Sequence, residues 1–131
     1  MSHFLQNILH VDDDAVLRDI TRTALIKSGY GYAVTSCASA QEALERIKTV
    51  TPDLLLIDYQ MPHMNGVDLA HKLRGLPNGK KPPIIFVTGK TDFSAESYTA
   101  LSNVIGILVK PFSTKNLAET LRTMWERRSL Y

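Results

Sequence analysis

Five short apolar runs, each followed by a stretch with helical spacing, govern what this chain can become. The runs cover residues 8–11, 32–36, 54–57, 84–87 and 105–109. The last three are continuously apolar, not alternating, which is the pattern of parallel strands covered on both faces. Helices must then pack on both sides, and the intervening segments supply them. Val16, Leu17, Ile20, Ala24 and Leu25 recur at helical spacing, and Gly29 stands where a left-handed terminating residue is wanted. Ser39 and Glu42 make a capping box ahead of a second helix that turns Ala43, Leu44 and Ile47 inward. A third helix is predicted over about 66–74, with Val67, Ala70 and Leu73 inward, and a fourth over about 93–102 on a thin stripe of Ala95, Tyr98 and Leu101. Ser113 caps a fifth, which carries Leu117, Leu121, Met124 and Trp125. The stretch PNGKKPP, 77–83, reads as a surface loop, because the strand after it is needed for the sheet. This is (βα)5, an α/β doubly wound parallel sheet with right-handed crossovers.

Composition narrows the function classes. With 131 residues the chain has room for one domain, 1–131 with a core of about 5–127. Fifteen basic against thirteen acidic residues leave a net charge of +2, too little for a nucleic-acid footprint, so no direct nucleic-acid contact is expected. Its single cysteine, Cys37, excludes an intrachain disulfide and fits a reducing compartment. The opening MSHFLQN lacks the features of a signal peptide, and no apolar run approaches the roughly twenty residues of a membrane helix. A cytoplasmic protein without membrane contact is expected.

In doubly wound sheets the functional crevice lies outside the carboxyl ends of the strands. Those ends here carry Asp12, Asp13 and Asp14, then Asp58, then Thr88, then Lys110 followed by Pro111. Crowded carboxylates raise one another's pKa unless a cation sits among them, and hard oxygen donors on a watery rim suit Mg²⁺. Such a cation and the lysine would neutralise an incoming phosphoryl group, with Asp58 as the nucleophile that forms an acyl phosphate. Each residue also has a plainer reading. Asp14 reads first as the N-cap of the first helix, Asp58 and Thr88 as turn residues, and Lys110 as a solvated lysine; their coincidence at one edge favours a site. His10 reads as a satisfied or partly buried strand residue, His63 and His71 as surface residues, and Cys37 as a small buried side chain. Arg122, Arg127 and Arg128 read as a solvated helix terminus.

The strings ILHVDDDAVLR, LLLIDYQMPHMNG, IIFVTGK and GILVKPF, in this order and spacing, resemble the receiver domain of bacterial two-component response regulators. The resemblance implies a flavodoxin-like sheet of order 2-1-3-4-5. It implies Asp58 as phosphoacceptor, Asp13 as a direct Mg²⁺ ligand, Asp12 as the companion acid acting through metal-bound water, and the backbone carbonyl of Gln60 as a further ligand. Thr88 then resembles the hydroxyl that shifts towards the phosphoryl oxygen. Lys110 resembles the lysine that pairs first with Asp58 and then with its phosphate, across a cis bond to Pro111. Gly89 matches the small residue that leaves backbone access to the phosphate. Gln60 and Lys90 occupy positions that tune phosphate lifetime. Ile107 stands where the family carries its switch aromatic, so signalling is expected to pass through the fourth helix and its preceding loop, and Asn103-Val104 replaces the usual Gly-Ala before the last strand.

The function so implied is a phosphorylation switch that assists its own phosphorylation and dephosphorylation without being an enzyme of other substrates. The phosphoryl group would come from a sensor histidine kinase or a histidine phosphotransfer protein. The face formed by the fourth helix, fifth strand and fifth helix would respond. With no output domain expected after the last helix, action would be by docking to a downstream protein, by forming a homodimer, or by passing the phosphoryl group onward. Two alternatives stand beside it. A haloacid-dehalogenase-type phosphohydrolase would use the Asp12/Asp14 pair with Thr88 and Lys110, and a receiver-like interaction module would work without phosphate.

Overall fold

A computed structural model describes residues 4–89, 98 and 100–128. The fourth helix expected over 93–102 falls mostly outside those residues, as does Lys90. The strands are β1 (Asn7–Val11), β2 (Ala33–Cys37), β3 (Leu54–Asp58), β4 (Ile84–Thr88) and β5 (Val104–Val109), and they form one parallel sheet in the order β2-β1-β3-β4-β5. The helices among the described residues are α1 (Ala15–Ile26), α2 (Ala40–Arg46), α3 (Gly66–Arg74) and α4 (Thr114–Arg127), the last being the fifth in the sequence-based count. All residues of β3 and β4 are buried, as continuous apolar runs require. One core lies between the sheet and α2 and α3, around Leu9, Leu55 and Phe86. The other lies under α1 and α4, around Ile8, Leu56, Leu121 and Trp125.

Local chemistry explains the helix boundaries. The Asp14 carboxylate accepts from the Val16 and Leu17 N–H groups at 3.0 and 3.1 Å, so its capping role holds. Gly29 closes the turn after α1 with φ +87°. Ser39 accepts from Glu42 N, while Glu42 reaches back to Ala38 N, one residue earlier than the usual reciprocal bond. Asn103 takes φ 63°, a left-handed conformation that asparagine tolerates, and so does the work of the missing glycine before β5.

Three expectations need correction. The apolar stripe of α1 holds only in part: Leu25 is buried and Leu17 and Ala24 half-buried, as their spacing suggests, but Thr21 joins them, whereas Val16 is 70% and Ile20 45% exposed. The buried stripe centres on Leu17, Thr21, Ala24 and Leu25, with Leu25 in the core under α1 and α4, and Val16 and Ile20 lie off it. Ser113 holds the N-cap position of α4 but its side chain makes no capping bond. His10 is fully buried rather than satisfied; its Nδ1 has no partner among the described residues. The 77–83 loop contains a 3-10 turn, Pro77–Gly79, and Arg74 clamps it by donating to the carbonyls of Gly79 and Pro82 at 2.9 and 2.7 Å.

Candidate phosphoacceptor site

At the carboxyl edge of the sheet, parallel register brings distant residues together. β1 ends at Val11 beside Ile57, so Asp12 and Asp58 emerge side by side from the two central strands. Asp58 pairs with Val87, which places Thr88 one step beyond, and Lys110 N donates to Thr88 O at 2.8 Å. Carboxylate oxygens of Asp12, Asp13 and Asp58 lie within 4.8 Å of one another, the first and last buried and Asp13 exposed at the rim. Lys110 Nζ reaches Asp58 Oδ2 at 3.1 Å, and the Lys110–Pro111 bond is cis. Asp14 is outside the cluster, because its carboxylate is spent on the cap.

The Asp12 side chain is itself anchored. Its Oδ1 accepts from Asp14 N at 2.9 Å, and its main-chain carbonyl accepts from Arg18 Nη1 at 2.9 Å. Burial pushes the Asp58 carboxyl up to about 6 against the opposing pull of Lys110, and the Asp12 charge adds to the rise. Burial raises Asp12 as well, opposed by the Asp14 hydrogen bond and by Lys110. One ammonium therefore fails to compensate two buried carboxylates. The residues fit a small divalent cation: three hard oxygen donors converge, one of them open to solvent, and the two buried ones, Asp12 and Asp58, have their pKa raised by burial and then by a neighbouring carboxylate, charge that a cation would offset.

A family model described as the response regulator receiver domain matches residues 8–122. The chain belongs to this family. Receiver domains are signalling phosphoacceptors, and the flavodoxin-like order 2-1-3-4-5 is that of this one too. Among relatives, the positive alginate biosynthesis regulatory protein of Pseudomonas aeruginosa is 34% identical over 119 residues, covering 88% of this chain and 46% of its own length. The DNA-binding response regulator MtrA of Mycobacterium bovis is 33% identical over 127 residues, covering 97% and 54%. The chain thus spans about half the length of these curated relatives. The chemotaxis protein CheY4 of Vibrio cholerae, crystallised at low pH, matches with a TM-score of 0.82 at 29% identity, over 92% of this chain and 98% of that one.

The receiver domain therefore brings together Asp12, Asp13, Asp58, Thr88 and Lys110. Neither alternative is favoured: the phosphohydrolase reading needs Asp14, which is committed to α1, and the phosphate-independent reading gives the raised, paired Asp58 nothing to do. Ile107 is half-buried opposite Phe86 in the register, packed on the core beneath α2 and α3. Two contacts had escaped sequence reading. Gln60 Oε1 accepts from Gly89 N at 3.1 Å, and Arg18 braces the β1–α1 turn. For Arg18 the only available signal was its place one turn into a helix that starts at the acidic cluster; for Gln60 it was the β3–β4 register, which no sequence states.

Proposed function

We propose that this receiver domain accepts a phosphoryl group on Asp58 and thereby switches the binding of a protein partner. The observation that carries this reading is Asp58 itself: a buried carboxylate at the end of a central strand, 3.1 Å from the Lys110 ammonium and within 4.8 Å of two further carboxylates. In the transfer, an Asp58 oxygen attacks phosphorus, the P–N bond to a donor imidazole breaks, and the electron pair leaves with the imidazole, which takes a proton from water. Lys110 holds Asp58 in place beforehand and moves its charge onto a phosphoryl oxygen afterwards. Thr88, fully buried at the end of β4, supplies a hydroxyl for a second. Asp13, Asp58 and the Gln60 carbonyl would hold Mg²⁺ directly, and Asp12 through bound water; when bound, the ion supplies positive charge among these oxygens.

The donor is a sensor histidine kinase or a histidine phosphotransfer protein, and the readout surface is the fourth-helix segment with β5 and α4. Ile107 cannot swing as an aromatic does. The Tyr98 ring, 5.7 Å from Phe86 on the strand that carries Thr88, supports a route through Tyr98 instead. Partner docking or homodimerisation completes the output, without direct nucleic-acid contact. No helix among the described residues is long and apolar enough to cross a membrane, which with the buried Cys37 supports a cytoplasmic setting. Incubation with acetyl phosphate and Mg²⁺ tests the reading by intact mass: one phosphoryl adduct is expected on the wild type and none on Asp58→Asn. An adduct that survives the substitution would refute it.

A further inference from the structure

We infer that the Gln60 side chain is an internal stand-in for the phosphoryl group: it occupies the Gly89 N–H in the resting protein and must release it for phosphorylation. The inference rests on Asp58 as phosphoacceptor and concerns how that site is gated. β3 and β4 run in register through Asp58 and Val87, and Tyr59 N still donates to Val87 O at 2.8 Å. Two residues past that register pair stand Gln60 and Gly89, where β3 and β4 have ended. Gly89 N at this exposed mouth donates to the Gln60 amide oxygen at 3.1 Å. A Cβ at residue 89 would stand 3.3 Å from the same oxygen, so the amide lies close over the backbone there.

An amide oxygen and a phosphoryl oxygen are both acceptors competing for one donor, and the phosphoryl oxygen, being charged, is the stronger. Gln60 N lies 3.4 Å from Asp58 Oδ1, so the residue that carries the competing amide flanks the nucleophile directly. Phosphorylation by acetyl phosphate forms a bond from phosphorus to an Asp58 oxygen and breaks its bond to acetate, which leaves with the electron pair. The new phosphoryl oxygens arrive with Lys110 and Thr88 beside them, and Gly89 N–H becomes available to them only as Gln60 turns away. Gln60 is thus a positioning residue that opposes loading of the site, in addition to lending its carbonyl to the cation.

The test uses beryllofluoride with Mg²⁺ as probe and two readouts. In the fluoride-free protein, the Gly89 amide proton should shift upfield in Gln60→Met, which keeps length but offers no comparable acceptor, and in Gln60→Ala. Beryllofluoride affinity should rise about three- to tenfold in both variants, the worth of one exchanged hydrogen bond. Gln60→Asn, too short to span to Gly89, should behave like Gln60→Ala. An unmoved Gly89 amide, or unchanged or weaker affinity in Gln60→Met beside a responsive wild type, would overturn the stand-in alone. A wild type blind to beryllofluoride would overturn the phosphoacceptor reading and this inference with it.

Discussion

Replacing Asp58 by Asn should stabilise the cation-free protein at neutral pH, although it destroys the site. Asp58 has its folded-state pKa raised from 3.8 to about 6, so the folded chain binds more protons than the unfolded chain between those values. Stability contributed through this group is therefore highest below pH 4, falls as the pH rises to 6, and stays low above it. At 1.36 kcal/mol per pKa unit the neutral-pH penalty is about 3 kcal/mol, and asparagine resembles the protonated form that escapes it. Lys110 loses its partner in the variant, but its side chain is 25% exposed and can turn to water. The expected net gain is about 1–3 kcal/mol. Urea unfolding in a chelator, from pH 4 to 8, measures it as the difference between variant and wild type. His10, held down to about 4 by burial, also titrates across this range, but it is common to both proteins and cancels. The lead of the variant should vanish near pH 4 and shrink when Mg²⁺ is added, because the intact site gains more from the ion. A variant less stable than wild type at pH 7 in chelator, or a difference that ignores pH, would refute the electrostatic reasoning.

The other expectations concern single contacts. With its imidazole kept neutral by burial, His10 should cost the protein stability as the pH drops from 6.5 towards 4; at pH 5 the loss is about 2 kcal/mol, and His10→Phe should flatten that limb in urea titrations. Asp14→Ala should remove about 1 kcal/mol through the lost N-cap and leave Mg²⁺ affinity unchanged by calorimetry, which separates a cap from a ligand. Gly66→Ala should cost both stability and phosphorylation rate, since its Cβ would fall 2.5 Å from the Asp58 carbonyl and push the end of β3 aside. The thiol of Cys37, fully buried and pushed up to about 12 mainly by that burial, should resist alkylation in native buffer and react only on unfolding.

Much of this was legible because parallel strands carry their own signature. The runs at 54–57 and 84–87 are apolar throughout, and residues 54–58 and 84–88 are indeed buried on both faces. Asp58, Thr88 and Lys110 could be assigned to one edge because each follows such a run directly. What escaped depended on rotation and register, which periodicity does not encode. The rotation of α1 is set by tertiary packing, so Val16 and Ile20 point outward although Leu17, Ala24 and Leu25 of the same stripe lie on the buried side. The Gln60 contact exists only because β3 and β4 align as they do. His10 shows a third kind of gap: its burial follows from the strand, but that its Nδ1 has no partner among the described residues depends on which neighbours happen to offer a polar group.

The most direct test of a single phosphoacceptor at the meeting point of three carboxylates and a lysine is to locate the modified atom. After exposure to acetyl phosphate and Mg²⁺, borohydride reduction converts an acyl phosphate to the corresponding alcohol, and peptide mass mapping then places it. Homoserine at position 58, dependent on Mg²⁺ and lost in Lys110→Ala or Asp13→Asn, is the expected result. Homoserine at position 12 or 13 in the wild type, or none anywhere, would contradict it.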